Sequence, residues 1–177
     1  MTTKNPKLTS FDLILDKEFG KEGSPSRHKF NQEAEAFGAG QTLLYARQEA
    51  NVTRAQLAKR VGKTKSYIEL VEYGDLEPNI NMYQQMVNAL GCSIEIYRKT
   101  QLLAGIAPKN QKPIRYNLAQ LLTQLRQDAN VTQAQLAKRI GRSSSYISKI
   151  ENEKTEPGTG IYLYMLKKLG YSFDVNP

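Results

Sequence analysis

The sequence predicts a mainly α-helical protein that contains two copies of one small domain. The first observation is a repeat, because Asn51–Glu72, NVTRAQLAKRVGKTKSYIELVE, recurs at Asn130–Glu151 as NVTQAQLAKRIGRSSSYISKIE. The second is its extent: residues 41–98 align with residues 120–177 without a gap, and 26 of the 58 aligned positions are identical. The third is the spacing of the apolar residues, which recur at helical intervals in both copies. A duplication explains all three observations. We call the two copies repeat 1 and repeat 2.

The conserved stretch of each repeat reads as two short helices joined by a glycine turn. In repeat 1, Thr53-x-x-Gln56 forms a capping box, Gly62 makes the turn, and Thr64 caps the following helix. Repeat 2 has the same signals at Thr132, Gln135, Gly141 and Ser143. Two short helices joined in this way form the helix-turn-helix pattern.

The remaining elements follow from periodicity. The first helix of each repeat is predicted at 41–50 and 118–129, the helix-turn-helix pair at 54–61 with 64–72 and at 133–140 with 143–151, and the fourth helix at 82–90 and 161–169. Residues 93–97 and 172–175 alternate polar and apolar, which favours a half-buried strand at the end of each repeat. These strands are predicted to pair as an antiparallel ribbon around a pseudo-twofold axis, so that one chain resembles a dimer.

The predicted core consists of apolar residues at helical spacing. In repeat 1 it comprises Leu43, Ala46, Leu57, Ala58, Val61, Ile68, Val71, Met86 and Leu90. In repeat 2 it comprises Leu122, Leu125, Leu136, Ala137, Ile140, Ile147, Ile150, Met165 and Leu169. Five tyrosines are also interpreted as core or seam residues: Tyr83, Tyr116, Tyr162, Tyr164 and Tyr171. His28 is expected on a helix surface, and Cys92 is expected to be a small buried residue.

Composition excludes several classes of function. The 177 residues carry a net charge of +8, and the excess lies in residues 99–177, which suits a nucleic acid or another acidic partner. A single cysteine and a single histidine argue against a disulfide framework and a zinc site, and we expect no cofactor. Neither a nucleophile–base pair nor a phosphate-binding glycine loop is apparent, so we expect no enzyme activity. The absence of a membrane-length apolar run and of a signal-peptide core predicts a cytoplasmic protein.

Residues 1–40 precede repeat 1 and are predicted to form two helices of their own. The helix at 11–19 has five large apolar residues, more than a solvated helix requires, so it is expected to bury against repeat 1, another copy or a separate partner. Ser24-Pro25 begins the next helix, and Gly38-Ala39-Gly40 is predicted to interrupt it. The chain is therefore divided into a possible partner-binding extension (1–40), two helix-turn-helix domains (41–98 and 118–177) and a linker (99–117).

The motif TQAQLAKRIGRSSSYISKIEN resembles the Xre or lambda-repressor-like helix-turn-helix domains of phage repressors and bacterial antitoxins, and repeat 1 is similar to them as well. The resemblance implies sequence-specific binding to a double-stranded DNA operator, with the second helix of each pair in the major groove. It implies a buried ion pair in each repeat, Arg47–Glu72 and Arg126–Glu151. The implied DNA-binding residues of repeat 2 are Gln133, Arg142, Ser143, Ser144, Ser145, Tyr146, Ser148, Lys149, Asn152 and Lys154. Those of repeat 1 are Arg54, Lys63, Thr64, Lys65, Ser66 and Tyr67.

Repeat 1 departs from this pattern at several of the implied DNA contacts. Glu69, Leu70, Tyr73 and Asp75 stand where repeat 2 has Ser148, Lys149, Asn152 and Lys154. One interpretation is that repeat 1 is a weakened reader, that is, a domain with weakened recognition of DNA, which is kept for packing or partner binding. The other is that it reads a different half-site through Lys65 and Arg54.

The run LDKEFGKEGSPSRHKFNQEAEAFGAGQTLLYARQEA resembles the leader of HigA-type antitoxins, which repress their own operon and neutralise a small RNase-type toxin of the RelE, ParE or HigB kind. This resemblance implies a toxin contact through Phe11, Leu13, Ile14, Leu15, Phe19 and Phe30. The alternatives are a toxin-binding module with incidental DNA affinity and a phage-type repressor without a toxin. The chain is expected to act as a pseudo-dimer that occupies a whole, imperfectly palindromic operator by itself, or as a homodimer. Pseudo-dimers that dimerise again through residues 1–40 are the intermediate alternative.

Overall fold

The computed structural model describes residues 10–98 and 117–177, so most of the predicted linker and Tyr116 lie outside the described residues. The fold is mostly helical, with two helix-turn-helix units in tandem, as the sequence predicts. Before and within repeat 1 the elements are α1 (Ser10–Phe19), α2 (Pro25–Glu49), α3 (Arg54–Arg60), α4 (Lys65–Tyr73), α5 (Ile80–Ala89) and β1 (Ser93–Arg98). In repeat 2 they are α6 (Leu118–Asp128), α7 (Gln133–Ile140), α8 (Ser144–Glu151), α9 (Thr159–Lys168) and β2 (Tyr171–Asn176).

The predicted capping signals are present in both repeats. Thr53 and Thr132 each form a complete capping box with the glutamine three residues later, and Thr64 and Ser143 cap α4 and α8. The turn glycines Gly62 and Gly141 adopt left-handed φ values of 65° and 67°, which residues with a side chain disfavour. The fourth helix of each repeat begins two residues earlier than predicted. In repeat 1 the reason is that the Asn79 side chain accepts a hydrogen bond from the Met82 amide and so begins the helix at Ile80.

The interruption predicted at Gly38–Gly40 is wrong, because α2 runs without a break from Pro25 to Glu49. The Ser24 cap and Pro25 begin this helix as expected. Each glycine costs about 1 kcal/mol of helix propensity, but Gly40 lies against α4, where a Cβ atom would come within 2.3 Å of the Val71 carbonyl oxygen. The close packing of α2 on α4 offsets the low helix propensity and requires a residue without a side chain.

The predicted core residues are buried in both repeats, with Val61 as the exception. Val61 is half-buried because it follows α3 at the rim of the core, and Cys92, expected to be buried, is also half-buried. Four of the five predicted core or seam tyrosines are buried: Tyr83, Tyr162, Tyr164 and Tyr171. The Tyr83 hydroxyl donates to the Ala39 carbonyl and the Tyr162 hydroxyl to the Leu118 carbonyl, which are corresponding positions in the two repeats.

The two repeats are joined around a pseudo-twofold axis. β1 and β2 form the predicted antiparallel ribbon, in which Glu95 pairs with Asp174, its own counterpart in repeat 2. A second reciprocal contact joins the loops before α5 and α9: the Ile80 amide donates to the Pro157 carbonyl and the Thr159 amide to the Pro78 carbonyl. Each contact pairs a segment with its counterpart, so the repeats associate as the two subunits of a symmetric dimer would.

The N-terminal half of α2 breaks this symmetry because it crosses from repeat 1 to cover α9 of repeat 2. His28, expected on the surface, is buried there, and its Nδ1 lies 3.1 Å from the Tyr164 hydroxyl. Asn31 donates to the same hydroxyl, and Glu35 pairs with Lys167. The extension before repeat 1 is therefore continuous with its first helix and packs against α9 of repeat 2 through polar contacts.

Candidate nucleic-acid interface

The predicted DNA-binding side chains of repeat 2 lie together on one open surface. Seven of them line a shallow concavity of about 470 Å³: Gln133, Ser144, Ser145, Ser148, Lys149, Asn152 and Lys154. Gln133 begins α7, the serines and Lys149 belong to α8, and Asn152 and Lys154 follow α8. We call this set the polar face of repeat 2. It brings hydroxyl, amide and ammonium groups to one side of a two-helix unit.

Hydrogen bonds inside repeat 2 orient several of these side chains. Gln133 Nε2 donates to Glu151 Oε2 at 2.7 Å, and Asn152 Nδ2 donates to the Ser148 carbonyl at 2.8 Å. The implied ion pair is present, since Arg126 Nε and Nη2 donate to the two oxygens of Glu151 at 2.6 and 2.9 Å. Glu151 thereby ties the first helix of the repeat to α8 and to the first residue of α7.

The turn between α7 and α8 carries the remaining predicted residues, Arg142, Ser143 and Tyr146. The Arg142 guanidinium lies 5.8 Å from the centre of the Tyr146 ring, and its Nη2 donates to Gln32 Oε1 at 3.1 Å. Gln32 lies on α2, so this extension holds a basic side chain at the start of α8.

Sequence reasoning missed the roles of Gln32 and His28 at this turn. A signal was available in α9, where Gly160, Leu163 and Tyr164 replace Asn81, Gln84 and Gln85 of repeat 1. The six residues 161–166 of α9 are all apolar or aromatic, and a helical segment that is apolar on every side is covered on every side. The composition of α9 thus indicated that a further element packs on it.

In repeat 1, the matching turn and helix start are arranged similarly. Thr64 caps α4, Lys65 and Ser66 are exposed, and the Lys63 ammonium lies 5.2 Å from the centre of the half-buried Tyr67 ring. A Cβ atom on Gly141 would come within 2.5 Å of the His28 ring on α2, whereas Gly62 has no neighbour within 4 Å of the position its Cβ would take. The turn of repeat 1 therefore lacks the support that α2 gives to repeat 2.

Arg54 of repeat 1 is half-buried and held by carboxylates. Its Nε donates to Glu72 Oε2 at 2.6 Å, its Nη1 donates to Glu69 at 3.2 Å, and its guanidinium lies 5.0 Å from the centre of the Tyr73 ring. The hydrogen bond to Glu72 raises the pKa of Arg54 above its ordinary value. The fully buried Glu72 also forms the implied ion pair with Arg47, at 2.5 and 3.1 Å. Because its charge is already compensated, Arg54 is poorly placed to bind phosphate.

α4 of repeat 1 and the turn after it expose apolar and acidic side chains where repeat 2 exposes polar and basic ones. Leu70 and Tyr73 are exposed at the positions of Lys149 and Asn152, and Asp75 is exposed at the position of Lys154. A carboxylate repels the phosphate backbone, and a leucine offers no hydrogen bond to a base edge. This surface favours the interpretation that repeat 1 is a weakened reader.

The six residues of the implied partner contact divide into two groups. Phe11, Leu13 and Ile14 are between 56% and 64% exposed at the N-terminal end of α1. Leu15 is half-buried, and Phe19 stacks on the half-buried Phe30 with ring centres 3.9 Å apart. An ion pair of 3.0 Å between Asp16 and Arg27 also ties α1 to α2. The second half of α1 is thus anchored to the fold, whereas its first half presents uncovered apolar side chains.

Comparison with known families gives one match in each repeat. A family described as "Helix-turn-helix" matches residues 43–97, and a family described as "Helix-turn-helix domain" matches residues 117–174. The chain carries two Xre or lambda-repressor-like helix-turn-helix domains in tandem. No curated protein and no solved structure matches the chain significantly.

The tandem helix-turn-helix domains support a sequence-specific DNA-binding regulator that acts on double-stranded DNA. Families of this kind are typically regulators without enzyme activity. Across residues 10–98 and 117–177, no cluster of three histidine, cysteine or acidic side chains is arranged to hold a metal ion. Within the same ranges, no helix is long and apolar enough to cross a membrane.

Proposed function

We propose that this chain is a transcriptional repressor that reads its operator mainly through repeat 2. The observation that carries the proposal is the contrast between corresponding surfaces of the two repeats. The polar face of repeat 2 offers donors and acceptors that suit base edges and phosphates. The same surface of repeat 1 offers Leu70, Tyr73 and Asp75, and its Arg54 is already paired with two carboxylates.

The residues of repeat 2 have distinct proposed roles. Ser144 and Ser145 stand at the N-terminal end of α8, where recognition helices meet base edges. The exposed ammonium of Lys149 lies further along the same helix and suits the O6 and N7 acceptors of guanine. Gln133 and Lys154, at the two ends of the polar face, suit the flanking phosphates.

Substitution of one lysine in each repeat tests the proposal. Binding to DNA from the chain's own promoter region is measured by fluorescence anisotropy at several salt concentrations. Lys149→Ala should weaken specific binding by about 1–3 kcal/mol and relax base preference at one position. The matched change Lys65→Ala, in the recognition helix of repeat 1, should cost only a few tenths of a kcal/mol because it removes a solvated surface charge. The reverse ranking would show that repeat 1 is the reader.

The same repressor is proposed to be an antitoxin that binds a small basic RNase-type toxin through α1. Phe11, Leu13 and Ile14 form an uncovered apolar group on a helix whose other end is fixed by the Asp16–Arg27 pair and the Phe19–Phe30 stack. Exposed apolar groups held on an anchored element are suited to protein contacts, because little further ordering is required on binding.

The partner test uses the protein encoded next to this chain, provided that it is small and basic. Phe11→Ser combined with Ile14→Ser should abolish copurification and growth rescue, whereas the exposed control Lys17→Ala should retain both. DNA binding should survive the double change. A truncation for this purpose must end before Asp16, because removal of residues 1–40 would also strip the cover from α9. If no such gene or complex is found while Lys149-dependent DNA binding remains, the chain is a repressor without a toxin partner.

A further inference from the structure

Repeat 1 carries an exposed apolar strip on and beside the surface where repeat 2 has its polar face. The strip consists of Phe37 and Tyr45 on α2 and Leu70 and Tyr73 on α4, which are between 41% and 62% exposed. In the described part of the chain, every other large exposed hydrophobic side chain lies on α1. Two separate apolar surfaces therefore lie in the first half of the chain. The surface on α1 is the one proposed above to bind a toxin.

The four side chains of the apolar strip lie on two helices that pack together, α2 and α4. The Phe37 ring lies over Gly74, which directly follows Tyr73, so that a Cβ on this glycine would come within 2.8 Å of the ring. One helical turn after Phe37, Gln41 donates to the Glu72 carbonyl at 2.9 Å, and Tyr45 follows one further turn along α2. Leu70 precedes Tyr73 by three residues, so they share one face of α4.

The fold itself does not require Tyr45, Leu70 or Tyr73, whereas the fourth residue, Phe37, corresponds to the aromatic Tyr116. Repeat 2 has the same core and the same ion pair, but Gln124, Lys149 and Asn152 occupy the positions of Tyr45, Leu70 and Tyr73. All three substitutes in repeat 2 are exposed polar residues, as expected for positions in contact with solvent or DNA. Tyr45, Leu70 and Tyr73 therefore have a role in repeat 1 that their polar counterparts in repeat 2 do not share.

The charges at the two ends of α4 make this helix complementary to a second, antiparallel copy of itself. Lys65 is the first residue of α4, and Asp75 lies just beyond its last residue, Tyr73. Glu69, between them, is neutralised by Arg54 at 3.2 Å. If two copies of α4 approach in antiparallel orientation, each Lys65 meets the Asp75 of the other copy and the two helix dipoles also oppose each other favourably. Repeat 2 has Ser144 and Lys154 at these positions and lacks this complementarity.

We propose that the apolar strip joins two copies of this chain in an isologous dimer, with its twofold axis near Leu70 and the two α4 helices antiparallel. Leu70 and Tyr73 of each copy bury one another, and two reciprocal Lys65–Asp75 pairs flank this contact. The polar face of repeat 2 contributes no residue to the contact, so the dimer carries two DNA-reading surfaces. The proposal rests on the proposed function in one respect, namely that this surface of repeat 1 does not bind DNA.

Sedimentation velocity of the full chain, without DNA and over a concentration series, tests the contact. The wild type should shift from a 20.0 kDa monomer to a dimer as concentration rises. Leu70→Lys combined with Tyr73→Asn installs the residues of repeat 2 and should leave a monomer with an unchanged circular dichroism spectrum, because both side chains are exposed. The control Phe11→Ser with Ile14→Ser removes similar apolar groups from α1 and should leave the dimer intact. A wild type that stays monomeric, or a dimer that survives the Leu70/Tyr73 change, would overturn the proposal.

Charge reversal tests the antiparallel arrangement. Lys65→Asp should weaken dimerisation about threefold to tenfold by placing two like-charged pairs at the interface, and the double variant Lys65→Asp with Asp75→Lys should restore it. Failure of the double variant to restore dimerisation would contradict the proposed contact. Because these measurements contain no DNA, the outcome is independent of the Lys149 experiment, and loss of Lys149-dependent binding would count against the proposed function alone.

Discussion

The imidazole ring of His28 lies against Gly141 so closely that a Cβ atom on this glycine would come within 2.5 Å of ring carbon Cδ2. The two residues are 113 positions apart, and the contact joins the N-terminal half of α2 to the turn of the helix-turn-helix unit in repeat 2. Gly62, the counterpart of Gly141, has open space at the same position. Because only Gly141 is in contact with α2, alanine variants of the two glycines can show how much α2 stabilises the turn of repeat 2.

Gly141→Ala should destabilise the protein more than Gly62→Ala. Both glycines have nearly the same positive φ, 67° and 65°, so the backbone strain caused by an alanine is the same in the two variants. Only the alanine at position 141 collides with His28, and such overpacking costs about 1–3 kcal/mol in a packed site. Chemical denaturation gives the difference in free energy of unfolding. Equal losses would mean that α2 does not hold the turn.

The stability of the protein should fall as the pH drops below the unfolded-state pKa of histidine. Burial lowers the pKa of His28, and the positive charges of Lys168 and Arg142 lower it further, although Glu22 opposes them. The folded state therefore binds a proton less readily than the unfolded state, whose histidine has a pKa of about 6.5. The contribution of neutral His28 to the stability is therefore fully present above the unfolded-state pKa. It decreases as the pH falls through that pKa.

Melting temperatures measured at about pH 7.5 and about pH 5.5 test the role of His28. The wild type should lose more stability between these values than His28→Gln, which cannot take up the proton. An equal loss in the two proteins would assign the pH dependence to other groups.

Glu72 should contribute more to stability than Glu151, although the two residues correspond. Glu72 accepts hydrogen bonds from the guanidinium groups of both Arg47 and Arg54, whereas Glu151 accepts from Arg126 and the neutral Gln133. Loss of one partner of a buried ion pair costs about 3–5 kcal/mol. Urea unfolding of Glu72→Gln should show a loss in this range, and Glu151→Gln should lose less. A larger loss in Glu151→Gln would contradict this explanation.

Asp174→Asn should stabilise the ribbon that joins the two repeats. Asp174 pairs with Glu95 across β1 and β2, and like charges directly opposite each other in an antiparallel pair are destabilising. Asparagine keeps the side-chain oxygen that accepts from the Val175 amide. We expect the free energy of unfolding to rise by about 0.2–1 kcal/mol, and the gain should disappear in a Glu95→Gln background. A loss of stability would show that the carboxylate has a favourable role in the ribbon.

The sequence was sufficient to predict those parts of the site that rest on short-range signals. Thr53, Thr132, Gly62 and Gly141 cap or turn the chain through contacts with residues only a few positions away. The polar face of repeat 2 follows from these signals, because a capped helix of known start exposes its residues in a fixed order. The relation between the repeats was predictable for another reason: duplicated segments with unsatisfied strand edges pair most simply as a symmetric dimer does.

Short-range signals did not reveal the fate of α2, Arg54 or His28. The glycines at 38 and 40 weaken a helix locally, but packing against α4 and coverage of α9 offset this penalty. The sequence predicts that Arg54 is free to bind phosphate. The packing of α3 on α4 instead pairs it with Glu69 and Glu72.

The sequence by itself determined the duplication, the two helix-turn-helix units, the apolar core and the more basic character of repeat 2. All of these are properties of residue order and spacing, which are visible before the chain folds. The tertiary structure alone decided that α2 supports the turn of repeat 2 and that Arg54 is sequestered in repeat 1. The contacts His28–Gly141 and Arg142–Gln32 join positions more than a hundred residues apart. Such contacts depend on how whole helices pack, which no local pattern specifies.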